Sequence, residues 1–181
     1  MSQRSLLTTR RWMASVALAS AVIACSPREN GDADSTPVLA FASAQMRLIA
    51  GSDTLRLLTE LATRTDQQTL GLMERRHLAD TAGMLFLYPD EQPDSAGFWM
   101  FRTRIPLDIA FMDSTGTVRA IQHMVPCPTT ISQGCPSYAP GVPYRAALEV
   151  NAGYFAQHRL ALGARVMLAD TSRHVNGPAP R

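Results

Sequence analysis

The chain has 181 residues, 46% hydrophobic and 18% charged, with a formal net charge of +2. That length supports one domain with a real core. All 17 basic residues are arginine, which leaves no lysine for Schiff-base chemistry, and the near-neutral balance excludes the strong basic footprint of a nucleic-acid binder. Genome composition accounts for the arginine usage more simply than function does.

Arg4, Arg10 and Arg11 precede an uncharged stretch from Trp12 to Ala24. This is a signal-peptide layout, in which the basic end stays cytoplasmic while a short apolar helix enters the membrane. The stretch falls short of the roughly 18 apolar residues of a spanning helix. Val22-Ile23-Ala24-Cys25 resembles the lipobox of bacterial lipoproteins. The resemblance implies cleavage before Cys25 and diacylation of Cys25, and two acyl chains anchor stably where one binds only marginally. An uncleaved signal anchor and an ordinary cleaved signal are the alternatives. Thr9-Arg10-Arg11-Trp12-Met13 resembles a twin-arginine signal, although paired arginines also occur in ordinary signals. Ser26, where an aspartate would argue for inner-membrane retention, favours the outer membrane. Losing Arg4, Arg10 and Arg11 takes the charge from +2 to −1.

The resulting organisation is a signal peptide over 1–24, a lipid-anchored tether over 25–44, a single domain over 45–170 and a fraying tail over 171–181. The tether is small and polar and cannot bury a core. Met46–Ala50 and Thr54–Ala62 flank Gly51-Ser52-Asp53 and predict a hairpin. Leu70 and Met73 share a helical face over Gln67–Arg76, with Thr65 or Asp66 as cap. Gly83–Tyr88, stopped by Pro89, and Gly97–Phe101 predict strands. Leu107–Asp113 alternates, with Leu107, Ile109 and Phe111 on one face and Asp108, Ala110 and Met112 on the other. Asp113-Ser114-Thr115-Gly116 turns it into a returning strand to Met124. Tyr144–Val150 predicts a strand, Ala152–Leu162 a helix capped by Asn151 and ended by Gly163, and Arg165–Ala169 a closing strand. The fold class is therefore α+β, a compact curved or barrel-like sheet with two short helices.

Cys127 and Cys135 form an even pair in an oxidising compartment and read as a disulfide worth about 2–3 kcal/mol. A soft metal site at His123, Met124 and Cys127 is the lesser alternative. No nucleophile elbow, zinc motif, phosphate loop or nucleotide fingerprint occurs, and no cofactor is expected.

Gly71-Leu72-Met73, Gly83-Met84-Leu85-Phe86, Trp99-Met100, Thr103, Ile105-Pro106-Leu107-Asp108 and Leu148-Glu149-Val150-Asn151-Ala152-Gly153 occur in this order. With these motifs the chain resembles the domain-of-unknown-function family numbered 192, from about Leu55 to Leu168. The resemblance implies a compact α+β fold around a small β-barrel and no established activity. Two positions depart from the family pattern. Glu74 stands where an aromatic is usual, although Arg75 keeps the next basic position. Phe101-Arg102 replaces a Lys-Asn pair. The Pro126–Tyr138 segment resembles the longer loop of exported members.

Trp99, Arg102, Thr103, Arg104 and Asp108 form the densest polar-aromatic cluster. Pro106 bends the segment, which could aim Arg104 and Asp108 together. Such a group suits a small anion through arginine and a sugar ring through tryptophan. The competing reading is an Arg–Asp pair fixing a loop, with Trp99 in the core. Arg75 and Glu149 could line the same mouth or serve as ordinary paired charges. Asp108 and Glu149 could act as a glycosidase acid pair only at a suitable separation. Together these features predict a non-enzymatic exported lipoprotein, a binding or accessory domain on a membrane protein complex. The alternative is a carbohydrate- or cell-wall-binding or hydrolysing protein using Trp99, Arg104 and Asp108.

Overall fold

The computed structural model describes residues 39–129 and 131–169. Cys25, the stretch expected as a signal peptide, most of the expected tether and the expected tail lie outside them. β1 (Ala42–Ala50) and β2 (Asp53–Ala62) form the expected hairpin, and Gly51, at φ 60°, supplies the left-handed turn residue it needs. β1 starts at Ala42, so ordered strand reaches into the stretch assigned to the tether.

β2 pairs parallel with β3 (Ala82–Gln92), and a parallel pair requires a crossover. The crossover contains α1 (Thr65–Leu70), shorter than the expected Gln67–Arg76 because Gly71 leaves helical geometry at φ 47°. Its cap also differs. Arg64 takes the capping position, while Gln67 Oε1 accepts from the backbone N–H groups of Thr63 and Arg64 at 3.0 and 3.2 Å. β3 continues past Pro89 with a register irregularity between Leu87 and Gln92, where a bulge accommodates the missing N–H.

A short ribbon joins β4 (Phe98–Trp99) to β7 (Ser137–Tyr138). β5 (Leu107–Met112) and β6 (Val118–Met124) form the second hairpin. Its turn is held by Asp113 Oδ1, which accepts from the N–H groups of Thr115 (2.9 Å) and Thr117 (3.1 Å). β8 (Tyr144–Asn151) lies between β3 and β5, and β9 (Arg165–Leu168) closes against β1. The order β6-β5-β8-β3-β2-β1-β9 curls until Thr117 bridges Arg165, bringing the two sheet edges together. The α+β class with a curved sheet is thus the observed one.

Two cores follow from the curl. Met46, Leu85, Ala110, Leu148, Val166 and their neighbours form one cluster drawing on both sheet edges, so it fills the concave side. The other cluster, including Met84, Phe86, Ile109 and Phe111, lies on the opposite face under Leu72, Leu78 and Met100. β5 is buried on both faces, with the predicted alternation distributing its apolar residues between the two cores.

α2 (Tyr154–Gln157) is one turn long, not the expected Ala152–Leu162, because Arg159 turns left-handed at φ 53°. Asn151 does not cap it. Gly153 takes that position, and the Asn151 amide donates instead to the Leu78 carbonyl at 2.9 Å, tying the crossover to β8.

Candidate functional site

The ribbon positions the exposed tryptophan. Phe98 turns inward and meets Phe86 edge-on at 4.9 Å and Phe111 at 5.6 Å. Strand alternation then sends Trp99 outward, where it is 45% exposed beside Phe101 at 5.8 Å. The reading of Trp99 as a core residue is therefore corrected. Gly97 is required beside it, since a Cβ there would collide with Ser137 Oγ and the Ala139 N–H nitrogen at 2.9 Å. A disulfide between Cys127 and Cys135 closes the neighbouring loop, and the Val125 N–H donates to the Tyr138 hydroxyl at 3.2 Å.

Next to the ribbon, two arginines converge on one carboxylate. Arg102 Nε donates to Glu74 Oε1 at 2.8 Å, and Arg104 Nε donates to Oε2 at 2.5 Å. These bonds, Arg102's the larger effect, hold the Glu74 carboxyl below its usual range. Glu74 and Arg102 both have left-handed backbone, at φ 62° and 57°, and the Glu74 N–H donates to the Arg102 carbonyl at 2.8 Å. Two strained non-glycine residues locked face to face mark an over-determined point of the surface. They are also the two departures from the family pattern, so the substituted positions meet each other. The asparagine usual at position 102 tolerates left-handed backbone well, which explains how that pattern fits the same geometry. Glu74, Phe101, Arg102, Arg104, Pro126 and Cys127 line a cleft of about 590 Å³. Thr103 is buried within the turn, its N–H on the Met100 carbonyl at 3.2 Å.

The remaining sequence candidates sit elsewhere. Arg104 and Asp108 do not converge. Asp108, 6% exposed, accepts from the Gly153 N–H at 2.8 Å through Oδ2 and faces His123 Nδ1 at 2.9 Å through Oδ1. It fixes the entry to α2 from inside the fold. Arg75 and Glu149 do not share a mouth either. Arg75 donates to Glu60 through both terminal guanidinium nitrogens, at 2.6 and 2.5 Å. Glu149 is 4% exposed, and no side-chain hydrogen bond or ion pair joins it to the described residues. Burial pushes its carboxyl up to about 8. Glu60 and Glu149 flank Met84 in one cross-strand row. Sequence reasoning missed Glu60, Glu74 and His123 as partners. Only the departure at position 74 carried a signal, because such pairings depend on contacts across 15 to 30 residues. Among the described residues no cluster of three metal-ligating side chains occurs.

The curled sheet with a stapled ribbon on its outer face defines a small α+β domain that presents an aromatic and an arginine pair at one rim. The chain belongs to the domain-of-unknown-function family DUF192, described as an uncharacterized ACR, whose model matches residues 47–168. It is similar to the structure of a candidate transcription regulator from Sinorhizobium meliloti 1021. The identity is 33% and the TM-score 0.64, over 72% of this chain and 97% of that one. It is also similar to a protein of unknown function from Novosphingobium aromaticivorans DSM 12444, at 31% identity and a TM-score of 0.62 over 72% and 89% of the two chains. No curated protein matches it.

Proposed function

We propose that the domain is a non-enzymatic binding module, held through Cys25 at the exported face of a bacterial membrane and docking on a membrane protein complex. The observation that carries this reading is the exposed Trp99 on a disulfide-bordered ribbon beside the Arg102–Glu74–Arg104 cluster. An exposed tryptophan with adjacent arginines is the composition of an interface anchor. Restraint by the disulfide and by the prolines of the 126–143 loop limits the entropy lost on docking. A partner carboxylate could replace Glu74 on the converged guanidinium groups, which are already oriented for it. Nucleic acid is a poor partner, since the chain carries +2 at most and its arginines near Trp99 are spent on Glu74.

A photo-crosslinking residue in place of Phe101, activated in native membranes, tests the surface. A discrete adduct with a membrane protein supports it, and adducts indistinguishable from those of a crosslinker at exposed Leu58 contradict it.

A second reading rests on the same indole. An accessible ring at the edge of a polar cleft suits stacking on a sugar. Soluble cell-wall glycan fragments then quench the Trp99 fluorescence saturably in the wild type.

A further inference from the structure

The concave core is plugged at one end and open at the other. At the plugged end β8 runs through Val150 into α2, which turns Tyr154 and Phe155 into the core. At the opposite end β1 and β8 begin and β3, β5 and β9 finish. There Met46, Leu85, Leu87, Met112, Ala146 and Val166 line a pocket of about 480 Å³. That volume lies within the range of small-molecule sites, which combine apolar walls with a few polar groups that fix orientation. Methionines at Met46, Met112 and Met167 make the lining adaptable to a flexible apolar guest.

The rim carries one cation, Arg145, and one anion, Asp113. Arg145 lies on it, with no ion pair or side-chain hydrogen bond among the described residues. The acid on the same rim, Asp113, is already occupied. It accepts from Thr115 and Thr117 and stands 3.7 Å from Arg119. Tyr88 also borders the pocket, with its ring turned to the other core, edge-on to Tyr144 at 5.7 Å. Apolar walls below a guanidinium with no partner among the described residues complement a chain with one anionic end.

We propose that this mouth binds a free medium-chain carboxylate, with the alkyl chain among the methionines and the carboxylate on Arg145. The site is separate from the Trp99 surface and does not depend on how that surface is used.

Methyl NMR on the full chain with labelled methionines tests it directly, using octanoate, octanol and octylammonium as probes. Octanoate shifts the Met46 and Met112 methyl signals saturably, while Met84 and Met124, in the other core, stay still. Its apparent Kd is about tenfold lower than that of octanol, the worth of one charge-assisted contact. Octylammonium binds more weakly than either. Arg145→Gln raises the octanoate Kd to that of octanol and leaves octanol unchanged. Methyl signals that ignore octanoate, whether the mouth is covered by the chain's own residues or not, overturn the proposal. So does equal binding of octanoate and octylammonium by the wild type, a comparison that needs no variant to fold.

Discussion

Glu149 sits where an apolar residue would be expected, between Met84 and Ile109 in the sheet interior. With its carboxyl raised from the ordinary 4.5 to about 8, the folded state holds a proton that the unfolded chain releases above pH 4.5. Between those values the native state binds more protons, so stability falls as pH rises. From pH 5 to pH 8 this group alone removes on the order of 4 kcal/mol. Urea midpoints at the two pH values should show the loss in the wild type, and Glu149→Gln should lack that component. An identical slope in the variant would mean that the carboxyl is not held neutral. Asp108 has the opposite character, with each oxygen engaged. Asp108→Ala leaves the Gly153 N–H without its acceptor and should cost about 2–3 kcal/mol, read as a lower melting temperature and faster amide exchange at Gly153. Asp108→Asn keeps one carbonyl oxygen and should cost less.

At the scale of elements, close approaches set the tolerances. A Cβ on Gly83 would stand 2.6 Å from the Glu149 carbonyl oxygen and 3.1 Å from Leu57. Gly83→Ala should therefore destabilise by about 1–3 kcal/mol, since neither strand of the β3–β8 pair can yield without disturbing the sheet. Chemical denaturation measures it. Replacing Cys127 and Cys135 by serine should cost about 2–3 kcal/mol and increase exchange in the β4–β7 ribbon, leaving the seven-stranded sheet protected. The strands were legible from local patterns. Both hairpins carry turn residues, and β5 alternates cleanly. The helices were overestimated because apolar periodicity continued past the residues that end them. Gly71 and Arg159 turn the backbone left-handed, and only the first advertises it in sequence. The two-residue strand β7 was missed, since a segment that short has no periodicity to read.

For the whole molecule, the candidate surface was legible only in part. The clustering of Trp99, Arg102, Thr103 and Arg104 in one stretch made their proximity readable. Their division of labour was not, because it depends on Glu74 arriving from the crossover, 28 residues earlier than Arg102. The fold separates an outer rim, with Trp99 exposed, from the two apolar cores, and leaves Asp108 and Glu149 buried away from that rim. That separation favours a binding module over an acid-pair hydrolase, since the two carboxylates are held by different local environments and neither lines the cleft.

The most direct test is a pull-down of the full chain from native membranes in mild detergent, comparing wild type with Trp99→Ala by quantitative mass spectrometry. The account predicts a stoichiometric membrane complex with the wild type and at least a tenfold loss in the variant, the scale of an interface anchor. A solitary wild-type protein, or a complex retained equally by both, would contradict it.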